Sequence, residues 1–585
     1  MPNNHGGGKP VPARHDPLAS PTRPGGTEAF KTEENHVLTL NGVTLQVPHQ
    51  TRYFDILPQA PHKGPLPPLG VIVGNRLSGL FRGITSDAEG HSVDYTSKQG
   101  AFIYRRTACE ILYAATRETH PEASLMIGPS LHGGYFFEVL GAEATPEFVQ
   151  QISDRMHQIV EEDHELSFGR VFVDQAVELL HRMGADGKAR WVSQIPRGYI
   201  WMSRLLDFYD ILRGPLAPRT GAIRNFRVEP YRHGLLLRFP RRDGSERPPV
   251  REENGNLLFD TMQLVRRDHE ILGVHNVADM IDQCVHGQVG ELIRSSEALF
   301  ERHIVRIADM INDRRDRVRI VLIAGPTASG KTTFAKRLAT FLRVLGIHPV
   351  TISMDNYYVD RVDTPKHPDG RYNFEIVEAL DIDLFNDHLR RLAAGEVIES
   401  PIYDFMAGAR NPHKTNRMRL RPNSVLVVEG LHALNDRLHS LVPPEAKFKI
   451  FVSALTQLAI DQHNRIFTSD TRLIRRIVRD RMFRGYNAAK TIHTWPSVQQ
   501  GESQCIFPFQ DSADVMFNSA HVYEQAVLNP YLKRFLLEVR PSDPAYCEAS
   551  RLYEFIDLFI PVFPEEVPRD SVLREFIGGS TLDYD

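Results

Sequence analysis

Eight residues, Gly325 to Thr332, read GPTASGKT and satisfy the pattern GxxxxGK[ST]. The glycines let backbone N–H groups turn toward phosphate oxygens, and a helix opening at the end of the run adds the partial positive charge of its N-terminus. Lys331 is placed to reach the β- and γ-phosphates of a nucleotide, and the Thr332 hydroxyl to ligate Mg²⁺. Pro326, Thr327, Ala328, Ser329, Gly330 and Thr333 make up the rest of the loop. An apolar run, VRIVLIA, leads into it and an amphipathic stretch follows, so strand, phosphate loop and helix stand in order. A glycine turn without a ligand is the plainer alternative.

Three further groups belong to the same chemistry. In TISMDNYY a strand ends near Met354 and sets Asp355 at the carboxyl edge of a sheet, where open α/β sheets bind ligands. A carboxylate there accepts a proton from an attacking hydroxyl or holds Mg²⁺ through water; a helix N-cap is the alternative. SVLVVEG has the form of a Walker B strand with Glu429 in place of the usual Asp, which assigns Glu429 to Mg²⁺; the alternative is a solvated strand end. In DTRLIRRIVRDRMFRG, Arg472, Arg475, Arg476 and Arg479 recur at i, i+3, i+4 and i+7, on one helical face. Such a face suits a lid that stabilises charge on a transferring phosphoryl group, unless it is a solvated helix with Asp480 pairing part of it.

The elements that must position these residues alternate. From residue 318, the apolar runs VRIVLIAG, HPVTISMD, SVLVVEG, FKIFVSA and ADVMFNSA are separated by helical patterns, which predicts a doubly wound α/β domain on a parallel sheet. Residues 262–314 have helical periodicity. Upstream, short strands are expected in 36–47 and 69–80, a helix at 104–118, strand–turn–strand at 124–140, and helices at about 146–163 and 170–184. A polar, proline-containing link lies near 245–257, and the Pro/Gly-rich N-terminus reads as a disordered tail.

Composition sets outer bounds. The 585 residues suggest three or four domains, and the net charge of −4 gives no global sign of nucleic-acid binding. Four scattered cysteines offer neither a disulfide framework nor a cysteine zinc site. No apolar run approaches a membrane span and no signal-peptide core is present, so a cytoplasmic protein is expected.

Taken in order, GPTASGKTT, SMDNYY, PIYDF, VVEG, RLIRRIVRD…RG and ADV resemble the uridine kinase/phosphoribulokinase family over about residues 318–520. The resemblance implies ATP and Mg²⁺ as cofactors, with Lys331 and the lid arginines Arg472 and Arg476 stabilising charge. It implies Asp355 as general base toward an acceptor hydroxyl, the 5′-OH if the acceptor is a nucleoside. Tyr403 would line the acceptor pocket, with Glu375 near the ribose and Arg410 in the same substrate-binding set. One departure stands out. Uridine–cytidine kinases carry a base-contacting His five residues after the Tyr of YDF, and here that position is Gly408. The form YDFxxGxR and the run REFIGGS at Arg574–Ser580 resemble a branch of uridine kinase homologues. A sugar or sugar phosphate acceptor therefore stays open beside a nucleoside.

Residues 36–98 resemble a TGS-type β-grasp domain, and 99–240 the editing region of threonyl-tRNA synthetase, on IGPSLHGGYFFEV and DFYDILRGPLAPRTGAI. Aligned from these runs, the synthetase's HxxxH and CxxxH positions fall on Arg106 and Glu110 and on Leu212 and Leu216, so its metal-type ligands are gone. The expected organisation is a tail (1–35), the β-grasp domain (36–98), the editing-like domain (99–257), a helical connector (258–316), the kinase-like domain (317–545) and a helical tail (546–585). A nucleotide-gated regulatory or RNA-binding protein is the alternative from another class, with Arg105, Arg106, Arg238, Arg241 and Arg242 as its basic positions. Self-association through 262–314 stays open.

Overall fold

The computed structural model describes residues 35–247, 257–366, 370, 372–404, 407–456 and 458–583. The expected N-terminal tail (up to residue 34) and most of the expected link (248–256) lie outside them. Two compact units divide the chain, Met1–Pro249 and Val250–Asp585. No helix among the described residues is long and apolar enough to cross a membrane.

In the first unit, β1 (Asn35–Leu40) and β2 (Val43–Pro48) form a hairpin around Asn41-Gly42. Both turn residues have positive φ, as a tight two-residue hairpin requires. After α1 (Tyr53–Ile56) come β3 (Gly70–Val73), β4 (Arg76–Gly79) and β5 (Ala88–Val93), and the sheet runs β2-β1-β5-β3-β4. Its central pair, β1 with β5, is parallel and the other pairs are antiparallel, a β-grasp arrangement. Leu38, Leu40 and Val71 of the sheet pack with Tyr53 and Ile56 of α1.

Next in the chain are α2 (Lys98–Thr119), β6 (Ser124–Leu131), β7 (Gly134–Leu140), α3 (Pro146–Glu162), β8 (Ser167–Phe172), α4 (Val173–Arg182), α5 (Asp186–Ser193), β9 (Tyr199–Leu205), β10 (Phe208–Ile211), β11 (Arg227–Tyr231) and β12 (Gly234–Arg238). They build one antiparallel sheet, β11-β12-β7-β6, and a smaller one, β10-β9-β8. The helix expected from about 170 begins only at Val173. Residues 167–172 alternate with period 2, Val171 inward and Phe168, Arg170 and Phe172 outward, and pair with β9 instead.

The second unit opens with α6 (Leu257–Leu272), α7 (Val277–Val285) and α8 (Val289–Asn312). It continues with β13 (Ile320–Ala324), α9 (Lys331–Val344), β14 (His348–Ser353), α10 (Ile382–Ala393), β15 (Ile398–Asp404), β16 (Ala409–Met418), β17 (Ser424–Glu429) and β18 (Lys447–Ser453). Then follow α11 (Thr468–Phe483), α12 (Ala488–Cys505), β19 (Val515–Asn518), α13 (Glu524–Leu536), α14 (Tyr546–Ile556) and α15 (Arg574–Ile577). The five apolar runs form one sheet, β14-β17-β13-β18-β19, parallel throughout. All five residues of β13 are buried, as a central strand covered on both faces demands. From β13 the chain runs out to β14, returns through β17 and crosses to β18. The strand order thus reverses at β13, and the crevice at its carboxyl end is where such sheets take ligands. The hairpin of β15 and β16 has no counterpart in the apolar pattern, because β16 is mostly exposed and polar.

Candidate active site

The phosphate loop fills that crevice. Gly330 closes it with φ 79° and hands over to α9 at Lys331. A Cβ at Gly330 would lie 2.5 Å from Val572 Cγ2, and one at Gly325 2.0 Å from the Val452 carbonyl oxygen, so both glycines are sterically required. Lys331 arches back over the loop, its Nζ donating to the Pro326 carbonyl at 3.2 Å. The Ser329 hydroxyl oxygen is buried with no hydrogen-bond partner among the described residues. Thr333 donates from Oγ1 to Glu575 Oε2 at 2.7 Å, so α15 stands directly behind the loop.

Two strand ends bring the acids alongside. Asp355 sits in the short turn Met354–Tyr357 that follows β14. Register pairs Ser353 with Glu429, and the Ser353 hydroxyl donates to Glu429 Oε1 at 2.7 Å. Burial, then the Asp355 charge, push the Glu429 carboxyl up to about 7, while Lys331 pulls it down. Asp355, Glu429 and Lys331 thus share one electrostatic neighbourhood. Glu375 joins it: burial pushes its carboxyl up to about 7, with Arg476 and Lys331 opposing and Glu502 and Asp355 reinforcing.

The arginines are arranged differently from a free lid face. Arg472 is 3% exposed and Arg475 fully buried, and each forks onto a buried glutamate. Arg472 meets Glu502 at 2.6 and 2.8 Å; Arg475 meets Glu524 at 2.5 and 2.8 Å. Arg475 also donates to the Ala328 and Ser519 carbonyl oxygens, bracing the loop backbone. Arg476 and Arg479 keep partial exposure and lie against Asp480 at 3.3 and 3.4 Å. Burial lowers the Arg479 guanidinium to about 10. The single helical face therefore resolves into two inward pairs, and α11 is not a solvated helix.

At the β15–β16 hairpin, Tyr403 of β15 is buried, its N–H donates to Asn356 Oδ1 at 3.1 Å, and its ring lies 5.8 Å from that of Tyr358. Arg410 turns inward. Its guanidinium reaches the Tyr357 and Tyr358 carbonyls at 3.2 and 3.1 Å and Asp381 Oδ2 at 3.0 Å. It fixes the turn that carries Asp355. At Gly408 (φ 70°), a Cβ would lie 2.5 Å from Arg361 Cζ, so Arg361 holds the space a side chain there would need.

No cluster of three His, Cys, Asp or Glu able to hold a metal occurs among the described residues. Mg²⁺ at a phosphate site needs fewer protein ligands, one or two oxygens beside those of the phosphates. A hydroxyl such as that of Thr332 and a carboxyl such as that of Glu429 are hard oxygen donors of the type that demand calls for.

Residues 320–525 match the model of the phosphoribulokinase/uridine kinase family. The uridine kinase of Clostridium botulinum (strain Kyoto / Type A2) is 31% identical over 199 residues, covering 34% of this chain and 86% of that enzyme. The chain belongs to the phosphoribulokinase/uridine kinase family. The solved phosphoribulokinase of Rhodobacter spheroides is 18% identical, with TM-score 0.25, over 42% of this chain and 76% of that one. The threonine–tRNA ligase of Clostridioides difficile (strain 630) is 29% identical over 159 residues, 27% of this chain. That similarity lies in the N-terminal region, and the chain spans a quarter of the length of this ligase.

Outside the family's matched segment, the first unit holds the positions aligned with the synthetase ligands. Glu110 is buried and accepts from Ser203 Oγ at 3.1 Å, and burial together with Asp210 pushes its carboxyl up to about 8. Lys188 pairs with Asp210, and Leu216 is buried. Residues that the spacing left without a role are Glu502, Glu524 and Glu575. Single glutamates carry no motif, and only REFIGGS flagged the last.

Proposed function

We propose that the second unit transfers the γ-phosphoryl group of ATP to a hydroxyl of a small molecule, in first place the 5′-OH of a uridine-like nucleoside. The observation that carries this reading is the phosphate loop after β13, flanked by the paired β17 and β14 whose carboxyl ends carry Glu429 and lead into the Asp355 turn. The loop N–H groups and Lys331 take the phosphates, Lys331 leaving the Pro326 carbonyl to do so. Thr332 and Glu429 would hold Mg²⁺, which when bound neutralises charge on the β- and γ-phosphates. Asp355 accepts the proton of the attacking hydroxyl, with Tyr403 and Glu375 lining the acceptor side. Arg410 contributes by fixing the Asp355 turn. Arg472 and Arg476 would stabilise charge on the transferring group from α11.

A second acceptor class, a sugar or sugar phosphate, is favoured by one feature: Arg361 stands where Gly408 leaves no side chain. For the first unit we infer a synthetase-like scaffold without editing chemistry, in a cytoplasmic protein.

The test is incubation of the purified protein with Mg²⁺·ATP and a panel of nucleosides, sugars and sugar phosphates, read by ADP release and product mass. A phosphorylated pyrimidine nucleoside supports the first acceptor class and a phosphorylated sugar the second. Nucleotide binding without any product would turn the reading toward a nucleotide-gated switch.

A further inference from the structure

We propose that Glu502 is a positioning residue for phosphoryl transfer: it holds the Arg472 guanidinium against the phosphate loop with the Nε–H left for a phosphate oxygen. The inference rests on the kinase reading above. Four hydrogen bonds join three elements. Thr327 of the loop donates its N–H to Glu502 Oε1 at 2.9 Å. Arg472 of α11 donates from Nη1 to the same oxygen at 2.6 Å and from Nη2 to Oε2 at 2.8 Å. Nη1 also reaches the Thr327 carbonyl at 3.2 Å, closing a ring between loop, α11 and α12.

The fork of two parallel bonds fixes the guanidinium plane, which a single contact would leave free to rotate. Trp495 of α12 covers that plane, 5.3 Å from Arg472 Cζ. Gly501, just before Glu502, lets α12 pack against Glu375; a Cβ there would sit 2.3 Å from Glu375 Cβ. Glu502 is fully buried, and burying an ion pair is a poor route to stability, because desolvation offsets the attraction. What the pair does supply is geometry.

These bonds use three of the five guanidinium N–H groups. Arg472 Nε is buried and has no hydrogen-bond partner among the described residues. Buried N–H groups are almost always satisfied. One left open on a guanidinium bound to a phosphate loop matches an anionic oxygen supplied by the nucleotide.

The experiment uses the full chain and four variants: Glu502→Gln, Arg472→Ala, their combination, and Arg472→Lys. Steady-state transfer from ATP to the best acceptor is measured, or to water if none is found, with binding of a fluorescent ATP analogue and a thermal melt. Glu502→Gln should lower kcat about 10²-fold and leave the ATP KM and the analogue's Kd within about threefold. The combined variant should be no slower than Arg472→Ala alone, because Glu502 acts through Arg472. Arg472→Lys keeps the charge but loses the fork and Nε–H, and should lose kcat in the same way; it carries the test if Glu502→Gln does not fold. An unchanged kcat in either conservative variant, or losses that multiply in the combined one, would overturn the assignment while leaving the kinase reading intact. If the wild-type protein transfers no phosphoryl group, to acceptor or to water, both fall together.

Discussion

Beside Gly501 of α12, Glu375 is disposed to hold a proton for a physical reason: burial disfavours its charged form, and Oε2 has no partner among the described residues. Its ordinary value of 4.5 is raised to about 7. Between those values the folded protein binds a proton that the unfolded chain has released. This contribution to stability is complete below pH 4.5 and is lost as pH rises through 7. Melts of the nucleotide-free protein should therefore fall more steeply over that range in wild type than in Glu375→Gln; parallel curves would show that Glu375 ionises normally. Lys331→Ala should lower transfer by about 10³-fold or more, since the loop ammonium faces the charge that moves; full activity would remove the loop from the mechanism. Asp355→Asn should retain ATP binding while kcat drops about 10²–10⁴-fold if Asp355 is the base. Lost ATP binding would move Asp355 to the metal site. At this scale the sequence exposed what depends on spacing along the chain. It was silent on Glu502 and Glu524, whose roles arise from contacts between helices, and Arg410 turned inward because Asp381 and two carbonyls meet it there.

Elements show the same division. The five parallel strands were legible because burial on both faces leaves continuous apolar runs. The β15–β16 hairpin was not, because β16 has no apolar face to write into the pattern. For α11, helical spacing placed the arginines correctly around the axis but could not say that the surrounding helices bury them. At the loop, Gly330 lies between a left-handed backbone and the Val572 side chain of the segment leading into α15. Gly330→Ala should cost about 1–2 kcal/mol from backbone alone, with the Val572 clash added, and weaken ATP binding in an equilibrium titration. Gly330→Ala combined with Val572→Ala should recover part of the loss; no recovery would mean that the backbone conformation alone sets the requirement.

For the whole molecule, two compact units with separate cores predict two unfolding transitions. Mg²⁺·ATP at about a hundred times its Kd should stabilise only the transition of the second unit, by about 2.7 kcal/mol. Differential scanning calorimetry resolves this, and a single transition shifted by nucleotide would mean that the units unfold as one. The alternation of strands and helices revealed the second unit's architecture in the sequence. The first unit was legible through its short strands and resemblance, but not the β8 strand, whose short period-2 stretch abuts a helix.

The position of β13 also governs the order in which this protein can be made. Ile320 pairs with Leu426 on one side and Lys447 on the other, both far along the chain. While a ribosome is still adding the intervening residues, IVLIA is synthesised with both hydrogen-bonding edges open and no partner strand available. Assembly of the nucleotide crevice must wait for late contacts, which makes folding slow and leaves the most apolar strand available to neighbouring chains in the interval.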